Sequence, residues 1–124
     1  MKTLSPNQLD ACKKALELLK KGFTKNAFAR VREDPQYEMG ITSPISPYAK
    51  CFCSIGAVCC VYNVDSPESI PHAELHPIVL ALVKAAYGGR YSEYHNVGDV
   101  YRFNDNHTKE EVIAAWEKMI KENE

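Results

Sequence analysis

Four of the five cysteines lie within seventeen residues, in the segment SPYAKCFCSIGAVCCVY from Ser46 to Tyr62. Thiolates are both nucleophiles and metal ligands, so Cys51, Cys53, Cys59 and Cys60 raise two chemistries. The first is a four-thiolate zinc site. On one continuous helix, residues seven apart are separated by about 10 Å along the axis. Sulfurs sharing a zinc must lie about 4 Å apart. An unbroken helix therefore keeps the two cysteine clusters from sharing an ion, and paired C-x-x-C knuckles are absent from the sequence. The expectation is no metal and no cofactor, with the cysteines packed as small hydrophobes.

The second chemistry is covalent catalysis. A helix opening at Ser46-Pro47 puts Cys51 in its first turn and Cys53 in its second, and a helix N-terminus favours the thiolate. A cysteine near a helix start, then a histidine, then Asn or Asp is the order used by papain-like hydrolases. His95 would be the base and Asn96 or Asp105 the group that orients it. Those folds place the histidine on a well-formed strand, whereas His95 lies in a tyrosine-rich segment flanked by glycines with poor strand periodicity. A small cysteine-dependent hydrolase or transferase using Cys53, His95 and Asp105 is therefore the alternative reading.

The other polar concentration is Asn104-Asp105-Asn106-His107. Asn and Asp adopt turn conformations and cap helices, but Thr108 to Glu111 already forms a capping box, so Asp105 is partly surplus to that need. A ligand or partner site is placed where Arg30, Arg102, Asn104 and Asp105 converge with the tyrosines of the 91–101 segment, Tyr94 and Tyr101 among them. Polar groups with aromatic neighbours on non-helical chain are usual in recognition surfaces, and arginine beside aspartate offers charge-assisted hydrogen bonds. The competing explanation is an internal Arg30–Asp105 salt bridge. His72 and His76 read as helix-start residues.

The elements that must position these groups follow from caps and periodicity. Ser5-Pro6-Asn7-Gln8 combines a capping serine, a proline at the first helical position and a box-completing glutamine. Leu9, Cys12, Leu16 and Leu19 then recur at helical spacing, and Lys20, Lys21 and Gly22 close the helix. Phe23 to Val31 fits a short helix. Glu33 to Pro47, with three prolines and Gly40, predicts a loop with a brief extended piece at 37–41. The 46–62 segment reads as a helix apolar almost all round, hence buried, and Gly56 inside it predicts close approach by another element. A third helix covers His72 to Tyr87, with its regular part starting near His76 because of Pro77, and Gly88-Gly89 ends it. Val97–Phe103 fits a short strand paired with 37–41. Thr108 opens the last helix, whose buried face is Val112, Ile113, Trp116, Met119 and Ile120.

The fold class expected is mainly α: one compact domain over residues 1–124, of about four helices around a buried central helix at 46–62, with room for a short two-stranded β element. At 124 residues the chain can bury a core without staples. No apolar run reaches the roughly 18 residues of a membrane span, and MKTLSPNQLDACKK lacks the apolar core of a signal peptide. The expected location is the cytoplasm, where five thiols stay reduced. Residues 1–32 carry eight basic and two acidic side chains, the remainder seven basic and fourteen acidic. Such asymmetry can mark nucleic-acid binding, but no helix-turn-helix, zinc-finger or RNA-recognition signature accompanies it. Two faces that attract each other within one fold explain it better, which argues against nucleic acid.

Three landmarks carry a family resemblance. Lys21-Gly22-Phe23 through Ala27-Phe28-Ala29-Arg30 is similar to a KGW…GAxAR stretch. Ser46-Pro47-Tyr48-Ala49 followed by Cys53-Ser54-Ile55-Gly56-Ala57 is similar to SPxA…CxxGA. Phe103-Asn104-Asp105 followed by Glu110-Glu111-Val112 is similar to WND…EEV, with Phe23 and Phe103 standing where the pattern has tryptophan. In order and spacing, from about Ala15 to Ile120, the chain resembles an uncharacterised family of small bacterial and phage proteins, a domain of unknown function. The resemblance implies a bacterial or host cytoplasm and brings no activity with it. The leading expectation is a small non-catalytic accessory or regulatory protein that binds a protein partner or a small ligand, with no membrane and with a homodimer left open.

Overall fold

The computed structural model describes residues 3–88 and 95–124. They form five α-helices and a small antiparallel sheet: α1 (Pro6–Lys21), β1 (Ala29–Arg30), β2 (Ile41–Thr42), β3 (Cys51–Phe52), α2 (Ser54–Val61), a 3-10 turn at Pro67–Ser69, α3 (His72–Tyr87), α4 (Val97–Asn106) and α5 (Lys109–Asn123). The strand order is β2-β1-β3. Ala29 faces Thr42 on one side and Phe52 on the other, and Arg30 faces Ile41 and Cys51.

The capping boxes at Ser5/Gln8 and Thr108/Glu111 start α1 and α5 as their sequences require. Leu16, Leu19, Val79, Leu82, Val112, Trp116 and Met119 meet in one hydrophobic core. α1 packs on α2 and α5, α3 on α5 and α4, and α2 on α4. Lys13–Glu124 at 3.4 Å and Lys20–Glu117 at 3.7 Å join the basic first helix to the acidic last one, so part of the charge asymmetry is spent inside the fold. Such exposed pairs contribute little stability.

Four expectations need correction. The 46–62 helix is half as long as its apolar run. Ser46 Oγ accepts from Tyr48 N in a local turn, and the backbone N–H groups of Lys50, Phe52 and Cys53 go to Arg30, Gly22 and Phe28 carbonyls. With those donors committed to chain distant in sequence, the helix cannot begin until Cys53, which is its N-cap. The cap-then-proline signal at Ser46-Pro47 is satisfied by a turn.

Second, Phe23 to Val31 is not a helix. Thr24 N bonds Phe52 O, Asn26 takes a left-handed φ of 62°, and the stretch ends in β1. The extended piece expected at 37–41 survives only as β2. Third, Val97–Phe103 is the body of α4, not a strand. Asn96 and Asp99 form a capping box, and Val97, Val100, Phe103 and Asn104 follow helical spacing. Asn104 to Asn106 are helical too, so this cluster is not a turn. Fourth, α3 runs regularly from His72, with Pro77 inside it.

Two glycines fix the fit around α2. A Cβ on Gly56 would lie 1.8 Å from Phe28 O, and one on Gly22 would lie 2.1 Å from Lys50 O. The close approach expected at Gly56 is therefore made by the chain entering β1. Gly22 is extended, at φ −166°, so it is required for space and not for a left-handed cap.

Candidate functional site

α4 gives the site its frame. Its Tyr101 and Asp105, four apart, project from one face and line a cleft of about 480 Å³ together with Asn26, Ala27, Phe28, Ile41 and Cys53. The 26–28 segment reaches the cleft because Gly56 lets the Phe28 backbone close on α2. The Phe28 and Tyr101 rings lie 6.0 Å apart, tilted by 46°.

Asn104 anchors this frame from beneath. Its Oδ1 accepts from both the backbone N–H and the hydroxyl of Ser54 at 3.0 Å, and its Nδ2 donates to Thr24 O and to Asp105 Oδ1, each at 3.1 Å. Trp116 Nε1 donates to the same Ser54 hydroxyl at 3.0 Å. Asn104 is 1 % exposed: all its hydrogen-bonding capacity holds the start of α2, the loop at Thr24 and Asp105 in register. Asp105 Oδ1 also accepts from the backbone N–H of Asn26 at 3.1 Å. Among the described residues it has no cationic partner.

Cys53 forms part of the cleft floor but is 3 % exposed. Its Sγ accepts from Gly56 N at 3.3 Å. Burial pushes the thiol up to about 12; the Gly56 N–H works the other way, and the Asp105 carboxylate adds to the rise. Burial prevails over the helix N-terminus, so the thiolate that nucleophilic chemistry needs is suppressed. Burial likewise pushes the Tyr101 phenol up to about 12, leaving it a neutral O–H.

The remaining sequence candidates lie elsewhere. Arg30 is 1 % exposed, and its guanidinium donates to Thr24 Oγ1 (2.9 Å), Met39 O (2.8 Å), Lys25 O (3.1 Å) and Tyr37 O (2.6 Å). It ties down the 31–40 loop and makes no salt bridge to Asp105. Arg102 is exposed on α4 and pairs with Asp99. His95 Nδ1 lies 3.2 Å from the same Asp99 and is not among the residues lining the cleft. Tyr94 and Tyr91 lie outside the described residues.

The structure thus brings Tyr101, Asp105 and Cys53 together, sets Asn104 beneath them, and keeps Arg30, Arg102 and His95 away. Asn26, Ala27, Phe28 and Ile41 were missed. Assigning Phe23 to Val31 to a helix hid the bend at Asn26, although Asn is the residue that most readily takes a left-handed φ after glycine. Among the described residues no group of three or more His, Cys, Asp or Glu side chains is arranged to hold a metal ion, and no helix is long and apolar enough to cross a membrane. Cys51 is on β3, Cys53 caps α2, and Cys59 and Cys60 are helical. The four cysteines are therefore not on one helix.

Residues 5–122 match a protein family described as "Family of unknown function (DUF6197)". No curated protein matches the chain, and no solved structure does.

Proposed function

Since the chain belongs to that family of unknown function, we propose its role from its own geometry: a non-catalytic accessory protein whose recognition site is the cleft between the 26–28 segment and α4. One observation carries this reading. The cleft presents a fixed carboxylate and a neutral phenol between apolar walls, while its one thiol among the described residues, Cys53, is sealed and held protonated. A mostly apolar cavity with a few convergent polar groups is the usual form of a small-molecule site. The motif resemblance supports a bacterial or phage source and a cytoplasmic setting, which belong to the same proposal.

A protein partner is the second reading, favoured by the exposure of Ile41 (66 %), which lines the cleft, and of Met39 (58 %), two residues before it. Amide chemical-shift mapping with a fragment library tests the site. The reading expects responses at residues 26–28, 41, 101 and 105. Responses confined to other surfaces would overturn it. A chloroacetamide probe tests the chemistry: Cys53 should label only after denaturation. Labelling of native protein faster than a free thiol would restore the cysteine-enzyme alternative.

A further inference from the structure

Resting on that reading of the cleft, we infer that its ligand is an organic cation: a protonated primary amine on an aromatic body, with the ammonium on Asp105 and the ring against Phe28 and Tyr101. Asp105 lies in the last turn of α4, where a helix dipole opposes negative charge, and that turn contains no basic residue to offset it. It is not needed as a cap, because Thr108 and Glu111 start α5. Its contacts to Asn26 and Asn104 occupy one carboxylate oxygen, and a residue that breaks a local rule is expected at a functional position.

The carboxylate is also prepared for a ligand. Both of its contacts, from Asn26 N and Asn104 Nδ2, fall on Oδ1. They fix the group and leave Oδ2 as the acceptor for an incoming N–H. Half-buried, and without a cationic partner among the described residues, it presents uncompensated negative charge inside an apolar cleft. Charge-assisted hydrogen bonds to such a group are strong, and the Phe28 and Tyr101 rings offer faces on which the ligand's aromatic body can pack. An anionic ligand would meet Asp105 with no cationic side chain among the described residues lining the cleft.

The test compares 2-phenylethylamine, 2-phenylethanol, 3-phenylpropionate and Nα-acetyl-lysine methylamide by amide chemical-shift titration. The wild type is set against Asp105→Asn, whose Oδ1 can still accept from Asn26 and Asn104, so the frame is kept while the charge is lost. Dispersed amide spectra of the variant verify this. The inference expects phenylethylamine to perturb residues 26–28, 101 and 105 and to bind about tenfold tighter than the alcohol. The variant should lose that tenfold preference, and the propionate should bind weakest. Equal binding of amine and alcohol in the cleft would overturn the cation while leaving the cleft a recognition site. Tighter binding of the lysine amide would overturn the free aromatic amine in favour of a partner's side chain. Silence of the cleft towards all four would overturn the inference; silence towards the fragment library as well would overturn the recognition site too.

Discussion

Gln8 supplies the hydrogen bond that Pro77 withholds. Proline lacks an N–H, so the Ala73 carbonyl, four residues earlier in α3, has no helical donor from position 77. Gln8 Nε2 on α1 reaches that carbonyl at 3.3 Å and Glu74 O at 3.1 Å. Its Oε1 meanwhile accepts from Ser5 N at 2.9 Å to complete the α1 capping box. One buried side chain therefore starts one helix and repairs another, which is how α3 runs through its proline from His72 to Tyr87.

A double-mutant cycle measures the repair. Gln8→Ala alone should cost roughly 2 kcal/mol, from a lost cap and unpaired carbonyls. In a Pro77→Ala background the backbone N–H of residue 77 can reach Ala73 O, so the same substitution should cost about 1 kcal/mol less. Equal costs in both backgrounds, read from urea unfolding, would show that Gln8 does not compensate for Pro77.

Gly56→Ala should be among the most damaging single changes. Its new methyl would lie 1.8 Å from Phe28 O, a backbone atom that can retreat only by dragging Cys53, whose N–H bonds the same carbonyl at 3.1 Å. Overpacking of this kind costs about 3 kcal/mol, and the cleft signals of residues 26–28 should shift with it. A variant as stable as the wild type would mean that the crossing is looser than described.

Stability should fall as pH rises through the window from 9 to 12. Burial pushes the thiols of Cys12 and Cys53 from an ordinary 9.0 up to about 12. On unfolding they ionise near the ordinary value. In that window the unfolded chain binds fewer protons than the folded one, so the slope is negative, about 1.4 kcal/mol per pH unit for each thiol. The contribution is fully present below pH 9. Urea titrations at pH 8 and pH 10.5 should show a shallower decline for Cys12→Ala and Cys53→Ala than for the wild type; parallel declines would remove the thiols as the cause.

What the sequence made legible was local, and what it hid was long-range. Ser5, Gln8, Thr108 and Glu111 announce two helices because their caps are satisfied within four residues. The long reading of α2 failed because the N–H groups of Lys50, Phe52 and Cys53 are claimed by Arg30, Gly22 and Phe28, and no pattern within 46–62 encodes those partners. α4 was read as a short strand because Val97, Val100, Tyr101 and Phe103 are strand-favouring residue types, while the Asn96/Asp99 box lacks the usual Ser or Thr. In the site, Asp105 was readable as a carboxylate partly surplus to the α5 cap, and Tyr101 as one of the aromatic residues near it in sequence. Phe28 and Ile41 were not, since apolar cleft walls look like core until the fold leaves them partly open.

Arg30 should prove to be part of the frame. Its guanidinium is buried against neutral acceptors only, three of them the carbonyls of Lys25, Tyr37 and Met39. Asp34 holds the same loop from outside by accepting the backbone N–H groups of Gln36, Glu38 and Met39. Arg30→Gln cannot span those carbonyls, and Arg30→Lys keeps the charge without the planar fork. Both should lose stability, the glutamine variant by at least about 3 kcal/mol, and both should become open to proteolysis within 31–40. Limited proteolysis beside urea unfolding separates a local opening from global loss. An Arg30→Gln protein with unchanged stability and protease resistance, but no longer responding to ligands in the cleft, would move Arg30 from the frame into the site.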